Sequence, residues 1–218
     1  MDSIYSLLHS LPLLAKGLVG TLQISLTSIA IGLLGGIGAG VLNCRKMGLS
    51  CLKTIINGFV WVVRGTPLFV QVLIIYYALP ELLGISLSPF SAGVIALGIN
   101  STAYISEIIR AGIDAIPDGQ WDAAFVLGLS RWKTLIGIIL PQMFRISLPG
   151  LTNELTALVK ETSILMIIGV TELTKVSKDI VARELDPMTI YLAAAALYLI
   201  MTSTIAFFTH KIQRGFHL

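Results

Sequence analysis

Residues 121–141 read Trp121-Asp-Ala-Ala-Phe-Val-Leu-Gly128-Leu-Ser130-Arg-Trp-Lys-Thr-Leu-Ile-Gly-Ile138-Ile-Leu140-Pro141 and put a short, partly polar segment between long apolar runs. The pattern predicts two short helices with a break between them. Asp118, after Pro117, is expected to cap the first, Gly128 to take the left-handed turn that ends it, and Ser130 to cap the second. Ala123 and Ala124 lack bulk, so another protein's surface can approach the backbone there, and Asp122 can meet a basic group. Composition alone leaves open a helix lying on a membrane without a partner.

The chain has 218 residues, 55% hydrophobic and 12% charged, with a mean hydropathy of +0.87. A soluble domain of this length carries about twice that charge. We read one all-α integral membrane domain over residues 1–218. Five stretches exceed the roughly 20 apolar residues that cross a hydrocarbon core as helix. They are expected at 17–42, 54–79, 89–112, 147–171 and 188–210. The first fifteen residues do not resemble a cleavable signal peptide, and residues 4–15 are expected along the membrane surface. Lys and Arg set the orientation. Arg45, Lys46, Lys53, Arg110, Arg131, Lys133, Arg145, Lys211 and Arg214 fall on one side, and Lys16, Lys175, Lys178 and Arg183 on the other. The positive-inside rule places the first group in the cytoplasm, with the N-terminus outside and the C-terminus inside.

The net charge of +3 is accounted for by that asymmetry. No basic stripe interleaved with aromatics points to nucleic acid. Cys44 and Cys51 have no companions that make a metal site, and the three His are scattered near the termini, so neither a metal nor a cofactor is expected on this chain. Gly32, Gly36 and Gly40 form a double Gly-x-x-x-Gly stripe suited to close helix packing, within the chain or against another subunit. Without a Gly-Lys-Ser/Thr ending this is not a nucleotide loop.

In Arg64-Gly-Thr-Pro67 the proline should break or kink the second span. Arg64 is too costly to face lipid, and Glu107 on the third span is its expected partner; a direct role at a substrate, with Asn100 and Tyr104, is the alternative. The fourth span carries Thr152, Asn153, Glu154, Thr156, Lys160, Glu161, Thr162 and Ser163. At about 100° per residue Glu154 and Glu161 fall within about 20° of each other, and Asn153 and Lys160 form a second stripe. Two polar stripes imply a wet cavity or a subunit interface, so Asn100, Glu154, Lys160, Glu161 and Thr162 are candidates for a substrate path. Glu172, Asp179, Glu184 and Asp186 beyond it are expected to be a solvated face.

Asp122, Ala123, Ala124, Gly128, Ile138, Leu140 and Pro141 are in register with the motif E-A-A-x3-G-x9-I-x-L-P of ABC importer membrane subunits, with Asp122 where Glu is usual. With Arg-Gly-Thr-Pro-Leu-Phe-Val-Gln at 64–71, Asn100, Ala103-Tyr104 and Glu107, Leu-Pro-Gly-Leu-Thr-Asn-Glu at 148–154 and Lys-Glu-Thr-Ser at 160–163, the chain resembles the permease subunit of a polar amino acid ABC importer. That resemblance favours docking over a helix idle on the membrane. It implies the type I importer permease fold, a bacterial cytoplasmic membrane, two ATP-hydrolysing subunits as partners, a second permease copy or related permease, and an external solute-binding protein. Asp122, Ala123, Ala124 and Gly128 would then form a coupling helix seated on the ATPase, with ATP bound on that partner. Import of a polar amino acid, possible cationic preference included, is the function it implies. An ion- or proton-coupled secondary transporter or channel, and a regulatory subunit that docks an ATPase without transport, are the alternatives.

Overall fold

A computed structural model describes residues 2–47 and 50–215, and every regular element among them is helical. Helix α1 runs unbroken over Asp2–Asn43, through Pro12. The expected surface helix and first span are therefore one helix. Ser10, a possible cap two residues before Pro12, does not interrupt it; Ser10 and Leu14, one turn apart, are both buried. The second span is broken where Pro67 predicts: α2 covers Ser50–Gly65 and α3 restarts at Leu68–Leu73, with Pro67 at its N-cap. A π turn, Ile74–Ala78, leads into α4, Leu79–Leu83. Then follow α5 (Pro89–Asp114), α6 (Asp118–Val126), α7 (Arg131–Thr134), a second π turn at Leu135–Ile139 and α8 (Leu140–Glu161). A 3-10 stretch at Thr162–Ile168, α9 (Leu173–Glu184) and α10 (Pro187–Gly215) complete the order. Leu8–Asn43, Pro89–Asp114, Arg131–Ile168 and Pro187–Gly215 are long and apolar enough to cross a membrane; Ser50–Gly65 and Leu68–Leu83, bent by 104° at their break, reach that length only together, as one broken span or a re-entrant loop. The fourth of the expected spans begins at Arg131 and not at 147, because the π turn at Leu135–Ile139 carries the apolar helix on through Pro141.

Both π turns precede a Leu-Pro pair. The N–H of Leu79 bonds to Ile74 O, and that of Leu140 to Leu135 O, one residue further back than in an α-helix. Pro80 and Pro141 come next. In a regular helix each proline ring would press on the carbonyl four residues earlier, that of Tyr76 or Gly137. The wider turn relieves that clash and lets the span continue.

The chain divides into two compact units, and α1, α5, α8 and α10 contribute to both. In the unit made of residues 1–30, 67–98 and 155–206, Ile24, Val72, Leu97 and Leu165 share one core, and Leu14, Val159, Leu173, Ile180 and Ile190 another. α1 passes close to the turn before α9: a Cβ on Gly20 would lie 2.2 Å from Thr171 O. Gly169, with φ 82°, ends the 3-10 stretch in the left-handed region that favours glycine.

In the unit made of residues 31–66, 99–154 and 207–218, Val41, Ile105, Ile109, Ile113, Leu135 and Ile139 form the core. Here the glycine stripe packs inside the chain, on α5. A Cβ on Gly32 would sit 2.7 Å from Ser101 Oγ, one on Gly36 2.6 Å from Ile105 Cβ, and one on Gly40 2.6 Å from Ser106 O. Gly38, on the other side of α1, meets nothing within 4 Å. Gly36→Ala is therefore expected to lower stability by about 1–3 kcal/mol, the usual penalty of overpacking. Gly38→Ala should be neutral or slightly stabilising, because helix propensity alone changes. Unfolding midpoints of the two purified variants check this, and equal losses would contradict the packing described.

Candidate functional site

The segment from Asp118 to Thr134 is fixed on one face and bare on the other. Trp121 and Ala124, one turn apart on α6, are buried, with Trp121 in the core beside Ile116. Asp122, Ala123 and Gly128 are exposed. Phe125, Val126 and Leu127 show 80%, 84% and 77% of their surfaces. Of the two alanines expected to face a partner, only Ala123 is exposed; Ala124 is buried, and its small side chain lets α6 settle on the chain's own core. Gly128 takes φ 74°, as expected, and Leu129 N–H donates to Ala124 O at 3.0 Å, satisfying a terminal carbonyl of α6. Ser130 Oγ accepts from Lys133 N–H and caps α7.

Asp118 does not cap α6. Pro117 holds the N-cap position, and the Asp118 carboxylate pairs with Arg45 at 2.7 Å and Lys46 at 3.1 Å. Lys46 first, then Arg45, holds that carboxyl below the usual range, although exposure to solvent screens the effect. Arg45 N–H also donates to Asp114 Oδ1 at 2.9 Å, and Asp114 accepts from Arg110 at 2.8 Å. An ionic chain thus ties the turn after α1 to the end of α5 and the start of α6. A cavity of about 290 Å³ beside α6 is lined by Arg45, Lys46, Trp121, Asp122, Phe125 and Arg131, among others.

The expected Arg64–Glu107 pair is not formed at contact distance. Glu107 accepts both a 2.9 Å bond from Arg110 Nε and a second from its Nη2. Arg110 lies three residues along the same helix and needs no reach across the bundle. The Arg64 guanidinium instead stands over Tyr104, 5.1 Å from the ring centroid. The i,i+3 spacing of Glu107 and Arg110 and the i,i+4 spacing of Arg110 and Asp114 are the sequence signal for this arrangement.

On α8, Asn153 and Lys160 are exposed, and Glu154 and Glu161 half-buried. Asn100 on α5 is buried. Thr162 stands apart from the other path candidates: it is fully buried, and its hydroxyl donates to Val159 O at 2.8 Å. Glu172, expected in a solvated face with Asp179 and Glu184, is also fully buried, whereas those two are exposed. It caps α9, accepting from Thr174 N–H at 2.8 Å, Lys175 N–H at 2.6 Å and Tyr198 O–H at 2.8 Å. Burial pushes its carboxyl up against these donors, which pull it down. Its place immediately before an amphipathic helix was the cue for a cap.

The family model described as the inner membrane component of binding-protein-dependent transport systems matches residues 32–216. The chain belongs to that family. It is 39% identical over 206 residues to the Escherichia coli glutamine transport system permease protein GlnP, covering 94% of this chain and 93% of that one. Identity to the Bacillus subtilis L-cystine permease protein TcyB is 38% over 204 residues (93% of this chain, 86% of the relative), and to the B. subtilis arginine permease protein ArtQ 36% over 204 residues (94% and 92%). A crystal structure of an amino acid ABC transporter with histidines matches with a TM-score of 0.88 and 35% identity, covering 96% of this chain and 97% of that one. An inward-facing MetNI methionine transporter matches with a TM-score of 0.82 at 18% identity, covering 94% and 97%, which bears on the fold alone. The chain is thus an amino acid ABC importer permease of type I fold, an inner membrane transport subunit whose ATP is hydrolysed on a partner.

Within this permease, the ionic chain predicts an energetic coupling that the sequence did not. A double-mutant cycle of Glu107→Leu with Arg110→Met should show coupling on the order of 1 kcal/mol. Glu107→Leu with Arg64→Met should be nearly additive. Unfolding of the purified variants measures both, and stronger coupling to Arg64 would reverse the assignment.

Proposed function

We propose that this permease carries a polar amino acid inward by alternating access and receives the ATPase stroke through α6. The observation that carries the reading is the exposed ridge of Ala123, Phe125, Val126 and Leu127 beside Asp122, on a segment whose opposite face is held by Trp121 and Ala124. An apolar ridge on a short, rigidly held loop helix calls for a protein partner. Asp122 would meet a basic group of the ATPase, and Gly128 would let the chain turn sharply beneath the docked surface. In the orientation set by Lys and Arg, with the N-terminus outside, this ridge lies in the cytoplasm. A second copy or a related permease would complete the path, and an external solute-binding protein would deliver the cargo. The secondary transporter or channel reading falls with membership of a binding-protein-dependent family.

For the path, Lys160 supports the reading, because an exposed ammonium on a membrane-spanning helix requires water or protein beside it. Asn100, Glu154 and Glu161 complete the polar set, with Thr162 supporting the turn into the 3-10 stretch. Two carboxylates on one helix stripe favour a cationic side chain, and Lys160 can hold the substrate carboxylate.

The test is uptake of labelled arginine, glutamine and cystine by vesicles containing the permease, its ATPase and its binding protein. Ala123→Trp should cut ATPase co-purification and uptake about tenfold, the factor given by about 1.4 kcal/mol of lost interface. Glu154→Gln and Glu161→Gln should lower arginine uptake more than glutamine uptake. Normal coupling in Ala123→Trp would remove α6 from the ATPase interface, and unchanged arginine uptake in both glutamate variants would remove the cationic preference.

A further inference from the structure

We propose that the groove between the end of α1 and the second π turn binds one anionic phospholipid of the cytoplasmic leaflet. The groove has a volume of about 300 Å³, and Ile37, Gly38 and Val41 form one wall and Trp132, Ile136 and Leu140 the other. Every side chain lining it is apolar. Gly38 leaves its floor open, since a Cβ there would meet nothing within 4 Å. Such a lining suits an acyl chain, and a polar cargo has no partner in it.

The sequence beyond both walls is basic. Arg45 and Lys46 follow the α1 wall within about a turn and, with Arg131, line the cavity beside α6, while Arg131 and Lys133 flank Trp132 of the opposite wall. Arg45 and Lys46 share Asp118, whereas the exposed Arg131 and Lys133 form no ion pair among the described residues. Trp132 is 54% exposed, at the point where the span begins. A half-exposed indole beside unpaired cations is the side-chain set of a membrane interface. An acyl chain lying along Gly38 brings its phosphate to this basic rim, where a zwitterionic headgroup gains less than an anionic one.

The choice of leaflet rests on the orientation given under Proposed function; retention of lipid by the purified importer does not depend on whether α6 docks the ATPase, so the two readings fail separately. Native mass spectrometry of the intact importer, titrated with phosphatidylglycerol or phosphatidylcholine of identical chains, tests the site. The wild type is expected to retain phosphatidylglycerol preferentially. Arg131→Gln and Lys133→Gln should each reduce that preference about fivefold. Gly38→Leu should abolish retention of this lipid, and Ile136→Trp, which fills the groove from the opposite wall, provides a second variant should Gly38→Leu fail to assemble. Equal retention of both lipids by the wild type, or undiminished phosphatidylglycerol in an assembled filled-groove variant, would overturn the proposal. So would filled-groove variants that lose permease pairing while keeping the lipid, which would give the groove to a second copy.

Discussion

Three glycines let α1 lie directly against α5, with Gly36 facing the Ile105 side chain and Gly40 the Ser106 carbonyl. In lipid, where apolar side chains gain little by leaving one apolar solvent for another, such backbone approach is what holds helices together. The contact also fixes the register of the two helix ends. Because α1 finishes beside the end of α5, Arg45 N–H reaches Asp114, and Arg45 and Lys46 reach Asp118. Asp118 opens α6, so a packing contact between two spans sets the position of the exposed α6 ridge.

The same economy recurs elsewhere in the chain. Prolines 80 and 141, whose rings would press on a carbonyl in a regular helix, are accommodated by a π turn immediately upstream. Pro67 is not, and there the second span divides into α2 and α3. Glu172 is buried with its carboxylate accepting two backbone N–H groups and the Tyr198 hydroxyl, so one side chain closes the start of α9 and ties it to α10. Removing it would leave the Thr174 and Lys175 N–H groups without that acceptor, while the Tyr198 hydroxyl would keep its contact with Thr174 Oγ1 at 3.0 Å.

Much of this was legible in the sequence because membranes restrict the options. Long apolar stretches must be helices, so four spans followed from length and hydropathy, although the fourth starts at Arg131 and not at 147. The break at Pro67, the left-handed Gly128 and the Ser130 cap followed from residues whose backbone chemistry is nearly unique. What was not legible depended on which face of a helix meets which neighbour. Ala123 and Ala124 are equivalent in sequence, yet one is bare and the other buried. Arg64 and Glu107 sit at compatible depths, but Arg110 is nearer to Glu107 by helix geometry. Glu172 looked solvated beside Asp179 and Glu184, since charge density describes composition and not burial. The π turns have no signature beyond the prolines that follow them.

The proposed role of the α6 ridge, to receive the ATPase stroke, requires it to lie against the ATPase in the assembled importer. The most direct measurement is site-directed cross-linking: Phe125→Cys in the otherwise cysteine-free importer, treated with a short thiol cross-linker against single cysteines placed around the ATPase surface, with and without ATP. The account predicts a cross-link to the ATPase in high yield, with an efficiency that changes when ATP is bound. A Cys at position 125 that reacts freely with a soluble maleimide in the assembled complex, and cross-links to no ATPase position, would contradict it.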